Sequence, residues 1–359
     1  MKRSLRTILA LLVVFAMSTV VLGGCASTTN NSGGTTSTPA PAAAFKAAMV
    51  TDVGGLGDKS FNDLSWAGLE KAKTDLSAEV KVLESKQIAD YESNLTQLAG
   101  AGYSPIFAVG FLMTDAVSKI ASTTPGTNFG GIDIFFTNPP KNVVGLNFKE
   151  QEAGYLAGIV AGLATKESFD ARLNTKNVIG FVGGMPIPPV QRYEAGFVAG
   201  AKSVNPTVKV ISLYAGKFDD QAKGKELGLS LISQGADIVF AAAGQTGIGT
   251  FTACQESKKA LFIGVDSDQF LTLTNPGDTI LTSAVKRIDN AVFQVVKQAK
   301  EGAFPGGQNL SFGLKDDGVG IAPYHDFDAK VSQAMKDAVD KATADIKAGT
   351  VVVPEGLTK

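Results

Sequence analysis

The hydrophobic and polar positions of the chain alternate in a regular way from Ala47 onward. Short, continuous apolar runs are separated by longer stretches in which apolar residues recur at helical spacing, such as the stretch that begins at Phe61. This alternation predicts helices between strands that are buried on both faces, as in parallel sheets. The predicted strands cover residues 47–51, 80–83, 106–109, 129–132, 143–148, 178–182, 208–213, 238–242, 261–265 and 279–285.

These strands are too numerous for one compact sheet at this chain length. We therefore predict an α/β fold with two doubly wound lobes, each with its own core. A (β/α)₈ barrel is the alternative topology, and the periodicity alone does not exclude it. Ligands of open α/β sheets bind beyond the carboxyl ends of the strands, so the loops that follow the strands are the expected place for a site.

The sequence at the amino terminus predicts that the protein is exported from the cytoplasm. Lys2, Arg3 and Arg6 precede an apolar stretch over residues 8–22. That stretch is about 15 residues long, whereas a membrane span needs roughly 20, so residues 1–24 are predicted to be a signal peptide. The stretch ends in Leu-Gly-Gly-Cys, which resembles a bacterial lipobox and makes Cys25 the predicted lipidation site. An ordinary signal peptide with a chance cysteine is the alternative.

Residues 25–44 are rich in Ser, Thr, Gly, Asn and Pro, a composition typical of a flexible tether. Together with the lipid, such a tether would hold a domain at the outer face of the cytoplasmic membrane. In a cell with two membranes this is the periplasmic side. The sequence leaves the type of envelope open.

Composition excludes several classes of function. The chain has 359 residues and a formal net charge of −1, so no general attraction to nucleic acid is expected. If Cys25 carries lipid, Cys254 has no partner within the chain and is predicted to be a buried structural thiol. His325 is the single histidine, so neither a His-based metal site nor a cofactor is predicted, and we interpret it as structural.

The loop over residues 51–62, Thr-Asp-Val-Gly-Gly-Leu-Gly-Asp-Lys-Ser-Phe-Asn, carries the most informative chemistry in the chain. Its three glycines allow tight turns and a close approach of the backbone to a bound molecule. Asp52, Asp58 and Asn62 offer hydrogen-bonding groups, and Phe61 offers a flat apolar face. This combination suits a small, polar, aromatic ligand.

Other loops that follow predicted strands carry similar groups. An Asp in such a position is commonly a helix N-cap, and Phe218 could belong to the core. Their joint placement at strand ends nevertheless favours a shared site. The loops cover residues 110–115, 183–190, 214–220, 244–249, 264–268 and 284–287.

Five segments together resemble the basic membrane protein family, the PnrA-like purine-nucleoside receptors that are lipoprotein components of ABC importers. They are GGLGDKSFN, YAGKFDDQAKGK, ADIVFAAAGQTGIG, FIGVDSDQ and SAVKR. The resemblance implies a type I periplasmic-binding-protein fold, with two Rossmann-like lobes joined by a three-stranded hinge. One lobe would comprise residues 45–148 plus 287–311, and the other residues 149–286 plus 312–359.

The resemblance also implies two aromatic walls around a purine. Phe61 would stack on one face of the base. Phe218 would cover the opposite face, with Phe197 and Phe240 as alternatives for that position. Asp52 and Asn62 would bind the edge of the base.

Further polar groups are implied on both sides of the ligand. Asp115 would lie on the wall of Phe61 and contact the base, and Gly244 would donate a backbone N–H. Asp266 and Lys286 would hold the ribose hydroxyls. One difference from the family concerns Gln245, because relatives often have Gly-Gly-Thr-Gly where this chain has Gly-Gln-Thr-Gly; its side-chain amide would lie near the sugar.

We therefore predict a monomeric, non-enzymatic binding lipoprotein that captures purine nucleosides such as adenosine, guanosine or inosine for an ABC permease. The ATPase would be a separate subunit, because the chain has no G-x-x-x-x-G-K-[ST] loop. A receptor for a pentose or an aromatic signalling molecule is the first alternative, and a purely adhesive surface protein is another. A nucleoside-cleaving or dinucleotide-dependent enzyme is disfavoured, because Asp52 and Asp58 are not clustered and the Gly244 loop lacks the G-x-G-x-x-G order.

Overall fold

In the computed structural model, two six-stranded sheets are built from residues 44–357, which are the residues that the structure describes. The predicted signal peptide, Cys25 and the predicted tether up to residue 43 lie outside them. Among residues 44–357, no helix has both the length and the apolar character needed to cross a bilayer.

The first sheet has the strand order β11-β5-β4-β3-β1-β2, and all its neighbouring strands are parallel. Its strands are β1 (Lys46–Val50), β2 (Glu79–Leu83), β3 (Ile106–Val109), β4 (Phe129–Ile132), β5 (Val143–Phe148) and β11 (Gln308–Phe312). The helices that accompany it are α1 (Phe61–Leu76), α2 (Asp90–Gly100), α3 (Thr114–Thr123) and α9 (Ile288–Lys300). We call this sheet and these helices the first lobe.

The second sheet has the order β12-β10-β9-β8-β6-β7, in which only β12 is antiparallel to its neighbour. Its strands are β6 (Val178–Gly183), β7 (Lys209–Tyr214), β8 (Ala236–Ala242), β9 (Leu261–Asp266), β10 (Ile280–Lys286) and β12 (Val319–Ile321). The helices that accompany it, which complete the second lobe, are α4 (Glu150–Ala164), α5 (Pro188–Val204), α6 (Gln221–Ser233), α7 (Gln245–Ser257), α8 (Gln269–Thr272) and α10 (Gln333–Ala348).

The chain crosses between the two sheets three times. The crossings follow β5, β10 and β11, at residues 148–150, 286–288 and 312–319. Two open sheets with three crossings confirm the predicted two-lobed fold, and the barrel alternative is wrong because the strands do not close on one another.

Every predicted strand is present, with small differences at its ends. The sequence reading missed β11 and β12. The first is half-exposed and carries polar residues, so its apolar pattern is weak, and the second is only three residues long. Each is an edge strand, where burial on both faces is not required.

Helices α4 and α5 lie unusually close together, and this contact positions part of the site. A Cβ atom added to Gly158 of α4 would lie 2.1 Å from the carbonyl oxygen of Phe197. One added to Gly200 of α5 would lie 2.0 Å from the carbonyl oxygen of Tyr155. Glycine is therefore required at both positions, and the close contact brings side chains at the start of each helix together.

Candidate ligand-binding site

A cavity lies between the carboxyl ends of the two sheets, where parallel strands of both lobes point their following loops. The space free of protein atoms measures about 590 Å³, open solvent at its mouth included. Its polar and aromatic lining comes from Asp52, Asp58, Phe61, Asn62, Phe111 and Asp133 of the first lobe, and from Tyr193, Phe218, Asp266 and Lys286 of the second.

The structure brings together all the predicted binding residues except one. Asp115 does not line the cavity, because the short 3-10 helix Phe111–Met113 carries the chain away and leaves this side chain exposed on the first turn of α3. The residues that do line it are Asp52, Phe61, Asn62, Phe218, Gly244, Asp266 and Lys286.

Of the three phenylalanines considered for the second aromatic wall, only Phe218 reaches the cavity. Phe197 and Phe240 are fully buried and pack against each other, with ring centroids 5.3 Å apart. Their place in the core rules them out as walls of this cavity. The ring of Phe218 lies against Gly184, where an added Cβ would come within 2.3 Å of its Cδ1.

The loop at the start of α1 is fixed by its own carboxylates. Asp58 accepts hydrogen bonds from the backbone N–H groups of Asn62 at 2.8 Å and Ser60 at 3.0 Å, so it caps the N-terminus of α1. Both N–H groups of the Asn62 side chain are used, one toward Asp52 Oδ1 at 2.9 Å and one toward Asp58 Oδ2 at 3.1 Å. Asp58 is therefore a structural residue, although it touches the cavity.

This arrangement leaves hydrogen-bond acceptors facing the cavity. Asn62 Oδ1 is buried and has no partner among residues 44–357. In the same part of the chain, Asp52 Oδ2 also has none, and burial raises the pKa of Asp52 to about 6. Gly110, with φ +114°, permits this geometry, since an added Cβ would lie 3.3 Å from Asp52 Oδ2 and 3.5 Å from the Phe61 ring.

A buried ionic cluster forms the other end of the cavity. Lys286 Nζ lies 2.6 Å from Asp133 Oδ2 and 2.8 Å from Glu150 Oε1, and Arg192 Nε lies 2.6 Å from Glu150 Oε2. Burial alone would lower the pKa of Lys286, but the carboxylates of Asp133 and Glu150 outweigh it and raise that pKa above its usual value. An ammonium has three N–H donors, so Lys286 keeps one for a ligand.

Asp266 completes this end at the last position of β9. Its Oδ1 accepts a hydrogen bond from the hydroxyl of Tyr193 at 3.0 Å, while Oδ2 has no partner within residues 44–357. Burial raises the pKa of Asp266 to about 7 in spite of the nearby Lys286 charge. Asp133 Oδ1 is likewise buried without a partner in this range. The cavity is therefore lined by free acceptors from both lobes.

The comparison with known families decides what kind of protein this is. Residues 45–355 match the model of a family described as ABC transporter substrate-binding protein PnrA-like, or Bmp. The chain belongs to the Bmp family. It is an ABC transporter substrate-binding protein, and the resemblance found in the sequence is confirmed.

Individual relatives agree with this Bmp assignment. The chain is 36% identical over 326 residues to the ABC transporter nucleoside-binding protein BmpA of Lactococcus lactis, covering 86% of this chain and 89% of that one. It is 31% identical over 306 residues to basic membrane protein D of Borreliella burgdorferi, covering 84% and 85%. An ABC transporter solute-binding protein from Aeropyrum pernix K1 superposes with a TM-score of 0.78 at 28% identity, covering 86% of this chain and 94% of that one. The family and these neighbours are substrate-binding proteins rather than enzymes.

Sequence reasoning missed three participants of this Bmp site. Asp133 follows β4 directly, so the rule that polar residues after strands mark a site could have found it. Glu150 and Tyr193 lie on α4 and α5, whose close contact is not visible in the sequence.

Other sequence interpretations concern residues outside the cavity. Gln245 does not line the cavity, and its side-chain Nε2 donates to the Gly54 oxygen of the first lobe at 2.8 Å. Cys254 is buried, and burial raises its pKa to about 12. His325 stacks on Phe270 and contacts Asp268 at 2.7 Å. Within residues 44–357, no group of His, Cys, Asp and Glu is arranged to hold a metal ion.

Proposed function

We propose that this protein captures purine nucleosides between its two lobes and delivers them to the permease of an ABC importer. One observation carries the proposal: a single cavity combines an aromatic ring from each lobe with free acceptor oxygens from both lobes. A nucleoside has the matching shape and chemistry, because its flat base carries N–H donors at one end and its ribose carries O–H donors at the other.

The base would lie at the first-lobe end. Phe61 and Phe218 supply stacking surfaces, and stacking of a base on an aromatic side chain contributes on the order of 1–3 kcal/mol. Asp52 Oδ2 and Asn62 Oδ1 would accept hydrogen bonds from the N–H groups of adenosine, guanosine or inosine. These acceptors are fixed in advance, since the loop that carries them is already hydrogen-bonded to the start of α1.

The ribose would lie at the second-lobe end. Asp266 Oδ2 would accept from the hydroxyls, and the remaining donor of Lys286 would bind a hydroxyl oxygen. Such charge-assisted bonds are stronger than neutral ones. Gly244 would add its backbone N–H. Micromolar affinity requires only about −8 kcal/mol, which two stacks and these bonds can supply after the ordering cost.

Membership of the Bmp family supports a place for the protein in an ABC importer. Closure of the lobes around the ligand would create the form that the permease recognises, and a separate ATPase subunit would drive transport. We propose that the protein is a monomer, anchored through lipid on Cys25 outside the cytoplasmic membrane. The name of the Lactococcus lactis relative supports a nucleoside as the ligand.

The experiment is a thermal-shift panel with purine nucleosides, pyrimidine nucleosides, free bases, ribose and unrelated sugars. A ligand present at about 100 times its Kd stabilises the folded protein by roughly 2.7 kcal/mol, which corresponds to several degrees in Tm. We expect a shift with purine nucleosides. A shift with ribose alone would support a pentose receptor instead, and the absence of any shift with nucleosides would overturn the proposal.

A further inference from the structure

The loop over residues 51–62, which we call the binding loop, places its backbone donors and acceptors on opposite sides. Its N–H groups are held by carboxylates of the first lobe. Leu56 N donates to Glu84 Oε2 at 3.1 Å, and the N–H groups of Gly57 and Lys59 donate to the two oxygens of Asp63 at 2.7 and 3.1 Å. The donors of the loop are therefore satisfied within its own lobe.

Three carbonyl groups of the binding loop, those of Gly54, Leu56 and Lys59, accept hydrogen bonds from the second lobe instead. Gln245 Nε2 donates to the Gly54 oxygen at 2.8 Å and lies 3.5 Å from the Leu56 oxygen. At the other end of the loop, Ser267 Oγ donates to the Lys59 oxygen at 2.6 Å. The loop is thus held at two separate points from across the cleft.

These contacts do not involve the ligand cavity. Gln245 is the first residue of α7, and Ser267 directly follows β9, so both belong to the second lobe. Neither side chain lines the cavity. The hydrogen bonds can therefore form whenever the lobes close, whether or not a ligand is present.

We propose that Gln245 and Ser267 are positioning residues that hold the binding loop from the opposite lobe and favour closure without ligand. In an open form, water would donate hydrogen bonds to the carbonyl oxygens of Gly54 and Lys59. Closure replaces that water with protein donors, and each replacement makes a small, favourable contribution to the free energy of closure. The same two residues fix Asp52, Phe61 and Asn62 where a ligand needs them, because all three belong to the loop that is held.

The size of the effect follows from the number of bonds. One net hydrogen bond changes an equilibrium by about threefold to tenfold. We therefore expect Gln245 to raise the ratio of closed to open protein by that factor, and Ser267 to raise it by less, because Thr272 and Gln269 also donate to the Lys59 oxygen. The proposal does not depend on the identity of the ligand.

The test measures closure of the ligand-free protein. Opening moves the β2 and β7 edges of the sheets furthest apart, because the crossings lie at the other edges. Spin labels at Lys86→Cys, just after β2, and Lys217→Cys, just after β7, report the distance between lobes by pulsed electron paramagnetic resonance. Cys25 is replaced by Ser, and the buried Cys254 is retained.

Three variants are compared in this background. Gln245→Ala removes the donor, and Gln245→Glu faces the same carbonyl groups with an acceptor. Gln255→Ala is the matched control, because Gln255 lies on the same helix and donates to the Asn275 oxygen at 2.6 Å within the second lobe. Thermal unfolding confirms that each variant is folded.

We expect a measurable closed population in the parent protein that falls about threefold to tenfold in Gln245→Ala, falls further in Gln245→Glu, and is unchanged in Gln255→Ala. Ser267→Ala should lower the closed population less than Gln245→Ala, because Thr272 Oγ1 at 3.2 Å and Gln269 Nε2 at 3.4 Å also donate to the Lys59 oxygen. A parent protein that is fully open without ligand, or a closed fraction that neither Gln245 variant alters, would overturn the proposal. These outcomes are independent of the nucleoside assignment, since no ligand is added.

Discussion

The two walls of the cavity are built in different ways. The first-lobe wall consists of Asp52, Phe61, Asn62 and Gly110, and most of it comes from one loop. In this loop the side-chain amide of Asn62 donates hydrogen bonds to the carboxylates of Asp52 and Asp58. The second-lobe wall consists of Phe218, Gly244, Asp266 and Lys286, which follow or end four different strands. Its polar groups belong to a buried ionic cluster that reaches both lobes.

This difference separates local from long-range organisation. The side-chain hydrogen bonds that join Asp52, Asp58 and Asn62 in the first-lobe wall connect residues at most ten positions apart, although the second lobe also holds the loop that carries them. The second-lobe wall depends on pairs such as Lys286 with Asp133, which are 153 positions apart. A change in the second wall should therefore disturb the whole molecule, whereas a change in the first should mainly alter ligand binding.

The largest predicted effect breaks the ionic cluster. Lys286→Met leaves the buried carboxylates of Asp133 and Glu150 without their ammonium, and we expect a loss of about 3–5 kcal/mol in the free energy of unfolding. Urea denaturation measures it. The control is Lys341→Met, whose exposed pair with Asp345 at 2.6 Å should cost less than about 1 kcal/mol. Equal losses for both variants would show that the buried ionic cluster contributes no more to stability than an exposed ion pair.

Next in size is the removal of one ligand-binding charge. Asp266→Ala should weaken the binding of purine nucleosides by about 1.5–3 kcal/mol, because a hydrogen bond to a charged group is lost. The binding of free bases should be almost unaffected. Asp52→Ala should weaken the binding of both nucleosides and free bases. Calorimetric titration with a nucleoside and its free base measures the two variants, and equal losses for both ligands in Asp266→Ala would remove Asp266 from the ribose end.

A comparable or smaller effect concerns stacking. Phe61→Ala and Phe218→Ala should each weaken nucleoside binding by roughly 1–3 kcal/mol. Phe293→Ala is the control, since Phe293 is half-buried on α9 outside the cavity. Calorimetry provides the affinities. If Phe61→Ala bound as tightly as the parent protein, Phe61 would be a packing residue and the base would lie elsewhere.

The smallest effect is the pH dependence of stability without ligand. Burial raises the pKa of Asp52 to about 6 and that of Asp266 to about 7, well above the values near 4 in an unfolded chain. Between these values the folded protein binds more protons than the unfolded one, so the free energy of unfolding should increase as the pH falls from 7.5 to 5.

We expect a gain on the order of 1 kcal/mol as the pH falls from 7.5 to 6.5, measured by urea denaturation at fixed ionic strength. Asp266→Asn should flatten the curve more than Asp52→Asn, because the Asp266 pKa is raised further. A parent protein that loses stability as the pH falls from 7.5 to 5 would show that burial does not raise the pKa values of Asp52 and Asp266.

The comparison of the walls also explains what the sequence could predict. Buried parallel strands are continuous apolar runs, so β1 and β3 are visible from their residues alone, whereas the half-exposed β11 is not. Asp52, Phe61 and Asn62 lie within one loop, and their joint role could be predicted from that loop.

Long-range features were harder to predict. Asp133, Glu150 and Tyr193 join the site only because α4 and α5 pack closely and the chain crosses between the lobes. Asp115 was predicted wrongly, since its placement after a strand does not reveal that a turn of 3-10 helix intervenes.

The order of the strands has a consequence for synthesis. The first sheet receives its edge strand β11 only at Gln308–Phe312, and α9, which packs on α1, is also made late. A nascent chain that ends at Phe148 therefore exposes the open edge of β5 and the uncovered side of α1. The first lobe therefore cannot be completed on the ribosome before every parallel strand of the second has been translated.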